Sequence, residues 1–127
     1  MKNEWIKIDR KILNWEWYQD ATTFKLFIHI LIKANWKDAK FKGIEVKRGQ
    51  FVTSLNKLAE EAGLSFQQVR TALDKLIATH SITKTSYENF TVITVENYDI
   101  YQENSKGVTN YQQSSNNNRR RITNKYI

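Results

Sequence analysis

The sequence predicts an α+β fold that is mainly helical with a small antiparallel sheet, and three features indicate it. Two short amphipathic helices, separated by Gly63-Leu64-Ser65, are followed by two runs rich in β-branched residues, 81–86 and 90–95. A third such run, 50–53, precedes the first of these helices. A strand, two helices joined by a tight turn, and a hairpin follow one another in this order. Together they predict a winged helix-turn-helix over residues 1–101.

The turn between the two helices carries the signals that end one helix and begin the next. Gly63 can adopt the positive φ that closes the first helix. Ser54 is the expected N-cap of the first helix, and Ser65 with Gln68 has the spacing of a capping box at the start of the second. Apolar residues at helical spacing predict the buried face of the second helix: Phe66, Val69, Leu73, Leu76 and Ile77.

Upstream, a further helix is predicted from Asp20 or Thr22 to about Ala34, and it is apolar over most of its circumference. More large apolar residues precede it, from Trp5 to Tyr18. Part of this surface is expected to wrap the helix. The rest predicts self-association into a dimer or a higher oligomer, because aromatic-rich apolar patches mark such interfaces. The residues predicted for that interface are Trp15, Trp17, Phe24, Phe27 and Ile28.

Two shorter elements are predicted on either side of the helix-turn-helix. Residues 42–52 predict a hairpin with Gly49 near its turn. Residues 96–101 predict a closing element that docks on the core through Tyr98, Ile100 and Tyr101.

From Gln102 the composition becomes polar and rich in Asn, Gln and Ser, which predicts a disordered tail or linker over residues 102–127. Arg119, Arg120 and Arg121 lie in this tail. One interpretation is that they bind DNA phosphates without sequence preference. The other is that they belong to a solubilising linker, and the sequence does not decide between the two.

The formal net charge is +7, but residues 1–101 hold 15 basic and 12 acidic side chains, a net +3. Bulk charge therefore does not predict nucleic-acid binding, and the placement of the cations matters more. Several lysines and Arg48 cluster between Lys37 and Phe51, and others lie on the helix-turn-helix and hairpin. An ordinary solvated face is the alternative reading of each cluster.

No motif for catalysis, metal or cofactor binding is present in the sequence. There is no cysteine, the two histidines, His29 and His80, lie on different elements, and the four glycines form no phosphate-binding loop. We therefore expect a protein that is not an enzyme and holds no cofactor or metal. No apolar run reaches the ~18 residues of a membrane span, and the amino terminus lacks a signal-peptide pattern, so a cytoplasmic protein without a membrane partner is expected.

The polar face of the second helix predicts contacts with double-stranded DNA. Base edges would be read by Gln67, Gln68 and Thr71, because Gln pairs well with adenine. Phosphates would be held by Ser65, Arg70 and Lys75, and the hairpin would reach the backbone or minor groove with Lys84, Tyr87 and Asn89. Asp74 argues against DNA binding by this face, because its carboxylate repels phosphate.

Six stretches carry a family resemblance, namely residues 5–18, 23–27, 31–35, 47–54, 63–73 and 95–101. The Arg-Gly-Gln of residues 48–50 and the Gln-Val-Arg-Thr-Ala-Leu of residues 68–73 are the more specific pieces. With them, residues 5–101 resemble the amino-terminal winged-helix domain of phage replisome organisers and DnaD-like primosome proteins. Longer family members carry a second, helical carboxy-terminal domain, and nothing after Gln102 resembles it.

The resemblance implies a role in starting DNA replication in the cytoplasm of a bacterium, from a phage or prophage gene. The protein would mark an origin or recruit the host's helicase-loading proteins, and this domain would also oligomerise. Two alternatives stay open from the sequence. One is a protein–protein scaffold with weak DNA affinity, and the other is a transcription regulator of the same fold.

Overall fold

The computed structural model describes residues 5–102, and within them it is an α+β structure, as predicted. A 3₁₀ turn, Arg10–Asn14, precedes α1 (Ala21–Lys33), α2 (Leu55–Ala62), α3 (Phe66–Ala78) and α4 (Tyr98–Gln102). The strands are β1 (Ala39–Phe41), β2 (Ile44–Val46), β3 (Gln50–Thr53), β4 (Ile82–Ser86) and β5 (Thr91–Val95). The predicted tail beyond Gln102, with Arg119, Arg120 and Arg121, lies outside the described residues.

Three of the strands form an antiparallel sheet in the order β3-β5-β4. The register places Val52 and Thr85 on either side of Val92. The two predicted strands after α3 and the predicted strand before α2 are thus confirmed, and so is their pairing into one small sheet.

The hairpin predicted over residues 42–52 is wrong in its pairing. β2 pairs with β1, with Phe41 opposite Ile44, and the turn lies at Lys42 and Gly43, where φ is 48° and 81°. Gly49 instead redirects the chain into the larger sheet. Its N–H donates to Asn35 O at 2.8 Å and its carbonyl accepts from Val95 N at 2.9 Å. These bonds to distant backbone direct β3 into the larger sheet, where it pairs with β5 and not with β2.

The helix ends follow the predicted caps. Asp20, not Thr22, caps α1, and its carboxylate accepts from Thr23 N at 3.2 Å. Ser54 caps α2 in the same way, and Gly63 closes that helix with φ 71°. Ser65 and Gln68 form both bonds of the capping box at the start of α3. Local backbone chemistry therefore fixes the turn between α2 and α3.

The core lies between α1, α2, α3 and the inner face of the three-stranded sheet. Of the predicted inner face of α3, Val69, Leu73 and Leu76 are fully buried and Ile77 is partly buried. Phe66 is a correction, because 45% of its surface is exposed. It occupies the first position of α3, at the end of the packed face, where its ring extends past the core.

The aromatic segment before α1 belongs largely to this core. Trp15 is 5% exposed and Phe27 is not exposed at all, and their ring centroids lie 4.9 Å apart. Their predicted place in a self-association interface is therefore wrong, because the protein's own side chains enclose them. The other three residues of that prediction, Trp17, Phe24 and Ile28, are partly buried against the core.

The closing element docks through one of its three predicted residues. Tyr98 is buried, but Ile100 is exposed, so its predicted docking is wrong, and the side chain of Tyr101 lies outside the described part. At the end of α4, Gln102 Oε1 accepts from Lys7 N at 2.8 Å and Gln102 Nε2 donates to Lys7 O at 3.0 Å. This pair ties the first described segment to the last.

Candidate nucleic-acid interface

The outer face of α3 is polar, and the strand β4 follows this helix. Its inner residues Val69, Ala72, Leu73 and Leu76 are buried, so the remaining side chains point outward. The exposed polar ones are Gln67, Gln68, Arg70, Thr71 and Asp74. This set, called here the α3 face, contains five of the residues that the sequence places on the polar side of the helix.

Ser65 and Gln68 are partly committed to the helix start. Ser65 Oγ accepts from Gln68 N at 3.0 Å, and Gln68 Oε1 accepts from Ser65 N at 2.9 Å. A bidentate contact with adenine needs both the oxygen and the nitrogen of a Gln amide. To make that contact, Gln68 Oε1 would have to give up its hydrogen bond from Ser65 N. Its Nε2 can donate to a base while that bond stays in place.

Gln67 and Thr71 lie one turn apart on the α3 face. Gln67 Nε2 donates to Thr71 Oγ1 at 3.3 Å, a long bond between two exposed groups. Such a bond exchanges readily for one to a base edge, because both groups are already in contact with water. These two residues are therefore better placed for base readout than Gln68.

Arg70 is the one cation on the α3 face. It is exposed, and within residues 5–102 its guanidinium has no hydrogen bond or ion pair. Asp74 is also exposed and lies one turn further along the helix. The guanidinium can therefore bind a phosphate without first losing an intramolecular acceptor.

Lys75, predicted as a phosphate contact, is a correction. Its Nζ lies 2.6 Å from Asp20 Oδ2 and 5.5 Å from the ring centroid of Trp17. The hydrogen bond from Lys75 lowers the pKa of Asp20 below its ordinary value. The lysine therefore joins α3 to the segment before α1 and is turned away from the α3 face.

The β4–β5 hairpin, called here the wing, follows α3 directly. Lys84, Tyr87 and Asn89 are exposed on it, as the predicted contacts require. Tyr87 N donates to Phe90 O at 2.8 Å to close the turn. The ring of Tyr87 stacks on that of Phe90, with centroids 4.8 Å apart and planes inclined by 14°.

Arg48 is a structural residue that the sequence grouped with the other cations. Its Nη1 donates to Trp36 O at 2.7 Å, its Nε donates to Asp99 Oδ1, and its guanidinium lies 5.2 Å from the ring centroid of Tyr98. We call these contacts, together with Gly49, the Arg48 latch. No linear signal marks it, because its partners lie far away along the chain.

The described residues contain no group of three His, Asp or Glu side chains that could hold a metal ion. His29 Nε2 lies 3.2 Å from Glu61 Oε1, and Lys33 Nζ lies 3.6 Å from the same carboxylate. The hydrogen bond from His29 lowers the pKa of Glu61. These contacts link α1 to α2 at the surface and suffice to explain both side chains. None of the described helices has the length and apolar character to cross a membrane.

An apolar groove of about 410 Å³ lies between the end of α1, α4 and the first described residues. Trp5 is 76% exposed and Ile32 is 62% exposed along it. Its lining residues are Trp5, Ile6, Leu31, Ile32, Ala34, Trp36 and Tyr98. This groove therefore exposes apolar surface, whereas Trp15 and Phe27 do not.

Comparisons of the chain with protein-family models, with curated proteins and with solved structures gave no match.

Proposed function

We propose that this protein is a DNA-binding module with a winged helix-turn-helix, acting in the initiation of DNA replication of the phage type. The observation that carries the proposal is the α3 face. The inner side of α3 is buried in the core, and its outer side exposes Arg70 between the amides of Gln67 and Gln68 and the hydroxyl of Thr71. A recognition helix has this form.

The order of elements supports the winged-helix assignment. β3, α2, α3 and the wing follow one another, and the sheet order β3-β5-β4 brings the first strand onto the wing. In this arrangement Arg70 holds a phosphate, Gln67 and Thr71 face base edges, and Lys84, Tyr87 and Asn89 contact the backbone beside the helix. The module carries out no catalysis in this proposal.

The replication role rests on the resemblance of residues 5–101 to replisome organisers and DnaD-like proteins. A transcription regulator would use the same α3 face, so the physical chemistry of DNA binding is common to both roles. Recruitment of host helicase-loading proteins is the part of the proposal that distinguishes replication.

The test is fluorescence anisotropy of the full chain with a DNA duplex at two salt concentrations. Arg70→Ala should weaken binding about 5- to 10-fold and make the salt slope shallower by about 1, because one phosphate contact is lost. Lys11→Ala, which removes an exposed cation from the 3₁₀ turn, is the matched control and should bind like the unaltered protein.

A variant with Arg119, Arg120 and Arg121 all changed to Ala separates any contribution of the tail. Duplex binding that survives in this variant and is weakened about 5- to 10-fold on adding Arg70→Ala supports the α3 face. Binding that is indifferent to Arg70→Ala, or that disappears with the tail arginines alone, refutes it.

A self-assembling scaffold is the second candidate, and the exposed apolar groove favours it. Trp5 and Ile32 present apolar surface to solvent, which self-association would cover. Sedimentation velocity of the unaltered chain and of Ile32→Ser tests this. Concentration-dependent association that the substitution abolishes supports assembly, and a monomer at every concentration excludes it.

A further inference from the structure

The β1–β2 hairpin, here the second hairpin, stands out because its tip reaches the tip of the wing. Its turn at Lys42 and Gly43 uses two residues of positive φ, 48° and 81°, as a tight two-residue hairpin requires. Val46, on the strand that returns from the tip, is 2% exposed and anchors the base of the hairpin. The tip itself stands out from the core.

Three aromatic rings join the two tips. The ring centroids of Phe41 and Phe90 lie 5.2 Å apart with planes inclined by 77°, an edge-to-face contact. Phe90 in turn stacks on Tyr87 at the wing tip. A single ring, that of Phe90, therefore lies between Phe41 of the second hairpin and Tyr87 of the proposed DNA interface.

The charges of the two hairpins differ. The wing, residues 82–95, contains Lys84 and Glu88 and has no net charge. Residues 39–47 contain three lysines and Glu45, a net +2. Since cations in contact with phosphate provide much of the affinity for DNA through counterion release, a wing with a single lysine would supply only one such contact.

Two of the three lysines of the second hairpin are exposed and form no ion pair within the described residues, namely Lys40 and Lys42. Lys42 Nζ lies 5.4 Å from the ring centroid of Phe41, on the ring contact that joins the tips. The third, Lys47, has its Nζ 3.9 Å from Glu45 Oε1. Lys42, at the turn, therefore places one positive charge next to the ring that contacts the wing, and Lys40 adds a second on β1.

We propose that the second hairpin acts as a second wing, binding the DNA phosphate backbone through Lys40 and Lys42 beside Tyr87. This inference rests on the DNA-binding function proposed above and extends its interface. The contact between Phe41 and Phe90 fixes the two tips relative to each other, so the backbone that carries the lysines need not be ordered at the moment of binding.

The competing explanation is that the second hairpin only shields an edge of the sheet. β3 is an edge strand in the order β3-β5-β4, and exposed edges are commonly covered by neighbouring segments. That role depends on Val46 and Phe41 and makes no use of Lys40 or Lys42. Removing the two charges therefore separates the explanations.

The experiment measures duplex binding by the full chain carrying Lys40→Ala and Lys42→Ala together. The affinity at low salt should fall at least 10-fold, and the slope of log K against log salt should become shallower by about 2. The matched control is Lys11→Ala with Lys25→Ala, which removes the same charge from exposed positions before and on α1. Thermal melts of both double variants should match that of the unaltered protein.

A further variant, Phe41→Leu, keeps an apolar side chain but removes the ring contact with Phe90. It should weaken binding about 3-fold with an unchanged salt slope, because both lysines remain while the fixed spacing of the tips is lost. Equal loss in the two double variants would overturn the second wing. If Arg70→Ala still weakens binding in that case, the proposed function survives without it. Absence of duplex binding by the unaltered chain would refute both.

Discussion

Two arginine-centred regions of this protein look alike in the sequence and differ in the structure. In the Arg48 latch, the guanidinium is occupied by a main-chain carbonyl, a carboxylate and an aromatic ring. On the α3 face, the guanidinium of Arg70 faces solvent without an intramolecular acceptor in the described part of the chain. The comparison shows that a count of cations does not locate a phosphate-binding surface, because the acceptors that are already engaged decide which cations remain.

The two regions also differ in what they contribute to stability. Asp99 is largely exposed, so its ion pair with Arg48 is worth at most about 1 kcal/mol. The approach of Gly49 to Tyr98 matters more, because both residues are buried. The latch is expected to stabilise the fold, whereas the α3 face is expected to affect only binding.

The largest expected effect comes from breaking the latch at Gly49. A Cβ at this position would lie 2.8 Å from Tyr98 Cβ, and φ is 86°. Gly49→Ala should therefore lower the free energy of unfolding by about 3 kcal/mol, from backbone strain and steric overlap together. Urea denaturation measures this.

Gly43→Ala is the matched control for Gly49→Ala. Its φ of 81° is similar, but nothing lies within 4 Å of the added Cβ. It should cost only about 1 kcal/mol, which is the backbone strain alone. Equal losses in the two variants would mean that the contact with Tyr98 has no part in the latch.

Arg48→Ala is expected to lower the free energy of unfolding by about 2 kcal/mol, because the hydrogen bond to Trp36 O, the ion pair with Asp99 and the contact with the Tyr98 ring are lost together. The salt slope of duplex binding by the folded protein should not change, since Arg48 is not a phosphate contact. A slope made shallower by about 1 would move Arg48 from the latch to the DNA interface.

Arg70→Ala should give the reverse pattern. Its free energy of unfolding should stay within about 0.5 kcal/mol of the unaltered value, because an exposed side chain without a partner is removed. Its duplex affinity should fall as stated above. A loss of stability larger than that of Arg48→Ala would contradict the distinction between the two regions.

The smallest effect concerns the ion pair between Lys75 and Asp20. The lowered pKa of Asp20 means that the pair stabilises the fold above the ordinary carboxyl value of 3.8 and that this contribution is lost as the pH falls through the lowered value. Asp20→Asn keeps the cap on α1 and should cost about 0.5 kcal/mol at pH 7, because the pair is partly exposed.

Urea midpoints of Asp20→Asn and the unaltered chain should converge once the pH is below the lowered pKa of Asp20. Lys75→Met, which preserves packing on Trp17, should show the same convergence. A difference that persists in acid would assign the effect to the cap and not to the charge.

The helix-turn-helix could be predicted from the sequence because its determinants are local. Gly63, Ser65 and Gln68 act within a few residues of one another, and all three play the expected roles. The pairing of β3 with β5 was also predictable, because both runs are rich in β-branched residues and flank the two helices. Most of the α3 face follows directly from helical periodicity.

The parts that the sequence did not predict depend on distant contacts. Arg48 meets Asp99, 51 residues later, and nothing in the sequence around either residue marks the pair. Lys75 has the helical position of a DNA contact but finds Asp20 near the start of α1. Trp15 and Phe27 are apolar enough for an interface, and only the structure shows that they fill the core.

The paired hydrogen bonds between Lys7 and Gln102 hold the first and the last described segments of the chain side by side. Positions that lie 95 residues apart in the chain leave the fold at the same place. A short linker could therefore join them, and the chain could be reopened between Lys42 and Gly43, where the surroundings of Gly43 are empty. Such a circular permutant would place new chain ends at the tip of the second hairpin, where an attached reporter group would test the proposed contact with DNA and leave α3 unaltered.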